Sequence, residues 1–146
     1  MKVSFKGRSV LPGVIRGQAL VSHGLLNLNK SFHRVLLKKS NNLTVEDKKS
    51  DIYQKNISGK VLCVENFDSS NVDVLFLLSI FERACIAPIC ILSSKQLPNS
   101  ILAGLIIAKK FYKTEIVVVD KLGDELLLKI ETGDIISVCD DCVIVE

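Results

Sequence analysis

The chain has 146 residues, 48% hydrophobic and 24% charged, which is enough apolar material to bury a core and too much for extended disorder. Its apolar runs at 74–80, 84–92 and 101–108 are each far shorter than the ~20 residues that cross a bilayer as a helix, so a helical membrane span is excluded. The net charge is +3, but residues 30–60 hold eight basic and three acidic side chains, a local +5. With few aromatics to stack on bases and no nucleic-acid motif, that segment reads as a solvated loop.

One domain over residues 1–146 is expected from the length. Met1–Arg8 offers neither a continuous apolar run nor a small-residue cleavage site. The five cysteines are an odd number. Both features predict a cytoplasmic chain whose thiols stay free. Cys63, Cys85 and Cys90 lie in apolar runs and read as small core residues.

In chain order, residues 3–10 and 17–22 are short, β-rich stretches separated by the turn residues Leu11-Pro12-Gly13. From His23 to Ser58 the sequence is rich in Asn, Ser and Lys, with a strand expected over Phe32–Leu37. Lys60–Val64 reads as a buried strand. Asn71–Arg83 places Val72, Leu75, Phe76, Ser79 and Ile80 at helical spacing, with Asp73 where the helix dipole favours an anion. Pro88–Leu92 reads as a strand, Pro98–Phe111 as a helix opened by proline, and Glu115–Val119 as another strand. Glu125–Ile130, Ile135–Cys139 and Cys142–Val145 are expected to be strands, joined by turns at Thr132-Gly133-Asp134 and Asp140-Asp141. The expected class is α/β: a β/β/α domain in which β-elements from both chain ends flank a central βαβαβ unit with parallel strands.

In such sheets ligands collect where strands end and helices begin. That directs attention to Glu65-Asn66-Phe67-Asp68-Ser69-Ser70-Asn71, between the first central strand and its helix. A serine there has two open roles. Ser69 or Ser70 can cap the helix by accepting from a backbone N–H. Alternatively, Ser70 can act as a proton acceptor whose alkoxide the same N–H groups and a nearby cation stabilise. His23 and His33, the only histidines, sit in polar settings and read as exposed and uninvolved. Cys139-Asp140-Asp141-Cys142 has the spacing of half a metal site, but a tight turn between strands accounts for it. Gly7, Gly13 and Gly17 lack the strand-to-helix context of a nucleotide loop and read as turn residues.

Several segments taken together carry a resemblance. Arg8–Ser22, running through Pro12-Gly13 and Gly17-Gln18-Ala19-Leu20-Val21-Ser22, resembles the opening of the small subunit, or swivel domain, of aconitase X enzymes, with its "G-E-A-L-V-S" strand. Ser58-Gly59-Lys60-Val61-Leu62-Cys63-Val64 is similar to that family's "A-G-K-V-L-V". Ala87-Pro88-Ile89 and Thr132-Gly133-Asp134 fall where the family has "A-P-A-A-I" and "T-G-D". The resemblance spans nearly the whole chain.

It implies a swivelling domain that works only with a separate large subunit, as a heterodimer or larger assembly. It also implies a hydro-lyase like archaeal phosphomevalonate dehydratase, which takes water from (R)-5-phosphomevalonate to give trans-anhydromevalonate 5-phosphate. This chain would bind no cofactor, the iron–sulfur cluster being expected on the large subunit. The family's proton-accepting serine falls at Ser70, with Ser69 and Asn71 beside it as substrate-binding residues. Where the family surrounds that serine with glycines, this chain has Glu65–Val74, including Asp68 and Asp73, which oppose an anionic substrate. The family's "G-G-V-D-P-x-T-G" loop is replaced by the stretch around Val35–Thr44. Two alternatives follow: a non-catalytic swivel or scaffold subunit of the same family, and a subunit of a hydroxyproline dehydratase. A phosphohistidine carrier of similar shape would need a reactive histidine at a helix start, which neither His23 nor His33 supplies.

Overall fold

The computed structural model describes residues 3–146. Met1 and Lys2, the start of the segment read as lacking a leader, lie outside the described residues. The strands are β1 (Val3–Lys6), β2 (Arg8–Leu11), β3 (Val14–Leu26), β4 (Val61–Phe67), β5 (Cys90–Ser93), β6 (Val117–Asp120), β7 (Ile135–Cys139) and β8 (Cys142–Val145). The helices are α1 (Leu28–Leu37), α2 (Asp73–Glu82), α3 (Asn99–Tyr112) and the single turn α4 (Leu126–Lys129).

The strand order is β1-β8-β7-β3-β4-β5-β6-β2. The centre is the expected parallel unit: β3 with β4, β4 with β5 and β5 with β6 all run parallel. β3 joins the two halves, since Val14–Gln18 pairs antiparallel with β7 and Ala19–Leu26 parallel with β4. β4, β5 and β6 alternate between two apolar layers. Leu62, Val64, Ile91 and Val118 face the helices, while Val61, Cys63, Leu92 and Val119 face Val138, Val143 and the other residues of the β7–β8 side. Burial on both faces explains why these strands are continuous apolar runs. The result is the β/β/α arrangement expected from the sequence.

β1 and β2 sit at opposite ends of the strand order although only Gly7 separates them. Gly7 is therefore the corner at which the sheet wraps round. A Cβ there would lie 2.3 Å from the Asp120 carbonyl oxygen, so only glycine lets the two backbones approach. A second close approach is at Gly104 of α3, where a Cβ would meet Leu77 of α2 at 2.5 Å.

Two expected strands are helices. Phe32–Leu37 belongs to α1, because Leu28, Phe32 and Val35 recur at helical spacing and bury one face while Lys30 and Arg34 face water. Its start is fixed by Asn27, whose side chain accepts from the Lys30 N–H at 2.9 Å. Glu125–Ile130 forms α4 instead of a strand: Leu126 and Ile130, four apart, are buried, while Leu128 is exposed. The basic segment 30–60 is not a plain solvated loop either. Beyond α1 it folds back beneath the helices, burying Leu43, Val45, Ile52 and Ile57. Asp51 ties it to β3 by accepting from Ser22 Oγ at 2.7 Å and the His23 N–H at 2.8 Å.

Cys63 and Cys90 are buried as expected, but Cys85 is exposed, since the 3₁₀ turn Ala84–Ile86 directs Ile86 inward in its place. Burial pushes the Cys63 thiol up to about 12 and raises that of Cys90. No helix among the described residues is long and apolar enough to cross a membrane.

Candidate functional site

The carboxyl ends of β3, β4, β5 and β6 converge with the starts of α1, α2 and α3 along one edge. Loops there are tied to each other rather than free. Asn66 Nδ2 donates to the Gln96 carbonyl at 3.1 Å, and Ser93 Oγ to the Glu65 carbonyl at 3.1 Å, joining the β4 end to the segment before α3. The Asp68 N–H donates to the Leu26 carbonyl at 3.0 Å, and Asn27 Nδ2 to Asp68 Oδ2 at 3.2 Å, joining the same loop to the start of α1. Phe67 turns into the core beneath the helices and does not enter the loop surface.

Ser70 is half-buried, while Ser69 and Asn71 are exposed. The Ser70 hydroxyl oxygen accepts the Val72 N–H at 3.3 Å, and the Ser70 N–H donates to Asp73 Oδ2 at 2.8 Å. This reciprocal Ser-x-x-Asp pair closes the turn that leads into α2, whose N-cap residue Val72 has no side-chain cap of its own. Among the described residues, no lysine, arginine or histidine donates a hydrogen bond to Ser70, so one backbone amide is its polar support.

Asp73 is more than a dipole partner, which is all its place in the first turn suggested. It is fully buried and its Oδ2 also accepts from Ser100 Oγ at 2.6 Å, so one carboxylate oxygen pins the starts of α2 and α3 together. Oδ1 has no partner among the described residues. Of the two carboxylates flanking Ser70 in sequence, only Asp68 reaches solvent. Ser100 carried no sequence signal, being 27 residues away; the place of Asp73 in the first turn was the one clue to it.

At the far end of the edge, Asp120 is fully buried and receives both Arg8 Nε at 2.8 Å and Arg8 Nη2 at 2.6 Å, together with the Leu97 N–H at 2.8 Å. This pair fixes β2 and the approach to α3. His23 and His33 are both exposed, though neither lies in a loop: His23 is in β3 and His33 on α1, with its ring 6.4 Å from that of Phe76. Cys139 and Cys142 face each other across the two-residue turn between β7 and β8.

Residues 4–146 match the model of the aconitase X swivel domain family. The chain belongs to that family. Among solved structures, this aconitase X swivel domain is similar to aconitase X of Thermococcus kodakaraensis in its holo-form, with 23% identity, TM-score 0.80, and coverage of 99% of this chain and 98% of that one. It is similar also to a UPF0107 protein solved by NMR, with 21% identity, TM-score 0.75 and 97% of each chain covered. The RNA-processing inhibitor RraA from Thermus thermophilis shares the fold more distantly, at 9% identity and TM-score 0.54, over 99% of this chain and 84% of that one. No curated protein sequence matches the chain. The family match bears out the resemblance carried by the opening strand and the Gly59–Val64 strand, and these likenesses bear out the fold.

Proposed function

We propose that this chain, acting as one swivel domain over residues 1–146, is the small subunit of a two-subunit hydro-lyase in the cytoplasm. The substrate class is a phosphorylated hydroxy acid, as in the dehydration of (R)-5-phosphomevalonate to trans-anhydromevalonate 5-phosphate. The observation that carries this is the family match over residues 4–146 together with a serine at the sheet edge held by its reciprocal bonds to Asp73 and Val72.

The chain's own donors do not suit an iron–sulfur cluster. Among the described residues no three His, Cys, Asp or Glu side chains come together, and Cys63 and Cys90 are sealed in the core with raised thiol pKa values. It is the family resemblance that puts the cluster on the large subunit, where it would supply Lewis-acid chemistry at the leaving hydroxyl. On this chain, Ser70 Oγ enters as the alkoxide, its own proton already released to solvent and its charge steadied by the Val72 N–H, and takes the proton from the carbon beside the carboxylate to become a neutral hydroxyl. Ser69 and Asn71, exposed on either side, contact the substrate. Asp73 holds the loop from beneath. Closure onto the large subunit would exclude water and complete the site.

Co-expression with the large subunit and an assay of phosphomevalonate dehydration test this reading. Ser70→Ala should assemble normally and lose turnover; full activity in that variant removes Ser70 as the base. A hydroxyproline substrate in the same assay separates the sibling dehydratase. The turn geometry, which gives Ser70 partners without any chemistry, favours one alternative: a swivel subunit that has kept the fold and lost catalysis. An assembled, cluster-loaded complex with no hydro-lyase activity would support it.

A further inference from the structure

The sheet edge is not the part of the surface with the most unsatisfied character. Along α1, Lys30, Arg34 and Lys38 lie four residues apart on one stripe and line a groove of about 710 Å³, with Lys48 also lining it. All four are exposed, and among the described residues none has a carboxylate within ion-pair distance, although Glu46 lines the same groove. A second groove of about 390 Å³ lies between α1 and α2 and is mainly apolar, lined by Leu36, Leu37, Val72, Leu75 and Phe76. Leu37 is 72% and Leu75 65% exposed, a costly arrangement for an unpartnered surface. The two grooves share Asn29 and His33, so they form one continuous face, basic on one side and greasy on the other.

This face begins at the candidate site. Val72 lines the apolar groove and its N–H donates to Ser70; Asn27, which caps α1, donates to Asp68 of the same loop. A body that closes over Ser70 therefore has this face beside it.

We propose that the α1–α2 face is the docking surface for an acidic, amphipathic stretch of the large subunit. Charge complementarity selects that occupant: four basic side chains, Lys30, Arg34, Lys38 and Lys48, line the groove against the single carboxylate of Glu46, so the complementary surface is acidic. The adjoining apolar groove calls for apolar side chains on the same stretch, the pattern of a helix laid into a groove. Nucleic acid fits less well, because Tyr53 is the only tyrosine, phenylalanine or tryptophan lining the basic groove. The inference rests on the two-subunit reading above but not on catalysis by Ser70.

The test uses the purified large subunit as probe and measures its Kd for this chain at low and high sodium chloride. The double variant Arg34→Glu/Lys38→Glu should bind at least about tenfold more weakly at low salt and lose most of the salt dependence. Leu75→Asp should weaken binding by a similar factor without changing the salt dependence. The control Lys55→Glu/Lys110→Glu, with the same charge change on exposed residues outside the grooves, should bind like the natural chain. Groove variants that behave like the control overturn the proposal while leaving the two-subunit reading intact. So does a groove double variant that loses only affinity for a single-stranded RNA oligonucleotide. No binding by the natural chain removes both. An inactive Ser70→Ala complex with unchanged Kd leaves docking and catalysis separate, as expected.

Discussion

Asp73→Ala is the sharpest test of how the serine loop is held. The carboxylate is fully buried, and its Oδ2 receives the Ser70 N–H at 2.8 Å and Ser100 Oγ at 2.6 Å. Truncation leaves both donors without their acceptor in a packed junction between two helices. Each orphaned group costs about 1–3 kcal/mol, and the Ser100 hydroxyl, half-buried, can recover part of its share from water. A loss of about 2–4 kcal/mol is expected, equivalent to a fall in Tm of roughly 10 °C for a chain of this size. Asp73→Asn keeps an amide oxygen for the same donors and removes a buried charge that has no cation beside it, so it should cost about 1 kcal/mol or less. Urea unfolding followed by circular dichroism measures both. Hydrogen exchange at the Ser70 amide should speed up in Asp73→Ala well before global unfolding. If Asp73→Ala loses less than about 0.5 kcal/mol and the Ser70 amide stays protected, the carboxylate is not what positions the loop.

Other perturbations read different parts of the fold. Gly7→Ala places a Cβ against the Asp120 carbonyl and should cost about 3 kcal/mol or more, measured by urea unfolding. Arg8→Ala leaves the Asp120 carboxylate in the core with only the Leu97 N–H; about 2–3 kcal/mol is expected, below the cost of a fully buried pair because the Arg8 side chain is 40% exposed. Because the Cys63 thiol titrates at about 12 when folded and at an ordinary 9.0 when unfolded, the unfolded chain sheds that proton first. Stability should therefore fall as pH rises from about 9 to about 12, and Cys63→Ser should reduce that slope in denaturation curves. At neutral pH a thiol reagent should label Cys85 and Cys139 quickly and reach Cys63 and Cys90 only on unfolding, as peptide mapping would show.

The parallel centre was legible because β4, β5 and β6 are apolar runs bracketed by turn residues, and because Pro98 marks the start of α3. The two misread helices failed for separate reasons. In α1, Phe32 and Val35 favour strands by composition, and the helical spacing starts at Leu28, before the stretch that drew attention. In α4, Leu126-Leu127-Leu128 is apolar without interruption, and an unbroken run carries no period with which to separate strand from helix. The candidate site divided in the same way. Ser70 was found from its place at a strand-to-helix turn, which is local information. Its support was not, because Ser100 reaches Asp73 only after β5 and α3 fold back alongside α2. The groove along α1 was hidden as well: the excess of lysine was plain, but a helical stripe facing an apolar groove exists only once α1 and α2 lie side by side.

The central claim is that Ser70 Oγ moves the proton while the partner subunit handles the hydroxyl. Proton exchange in heavy water tests it most directly, by following deuterium entry at the carbon beside the carboxylate of (R)-5-phosphomevalonate in the assembled complex. The natural complex should introduce deuterium there and Ser70→Ala should not, with subunit affinity unchanged. Equal deuterium uptake by both would contradict Ser70 as the base and leave this chain as the docking half of the enzyme.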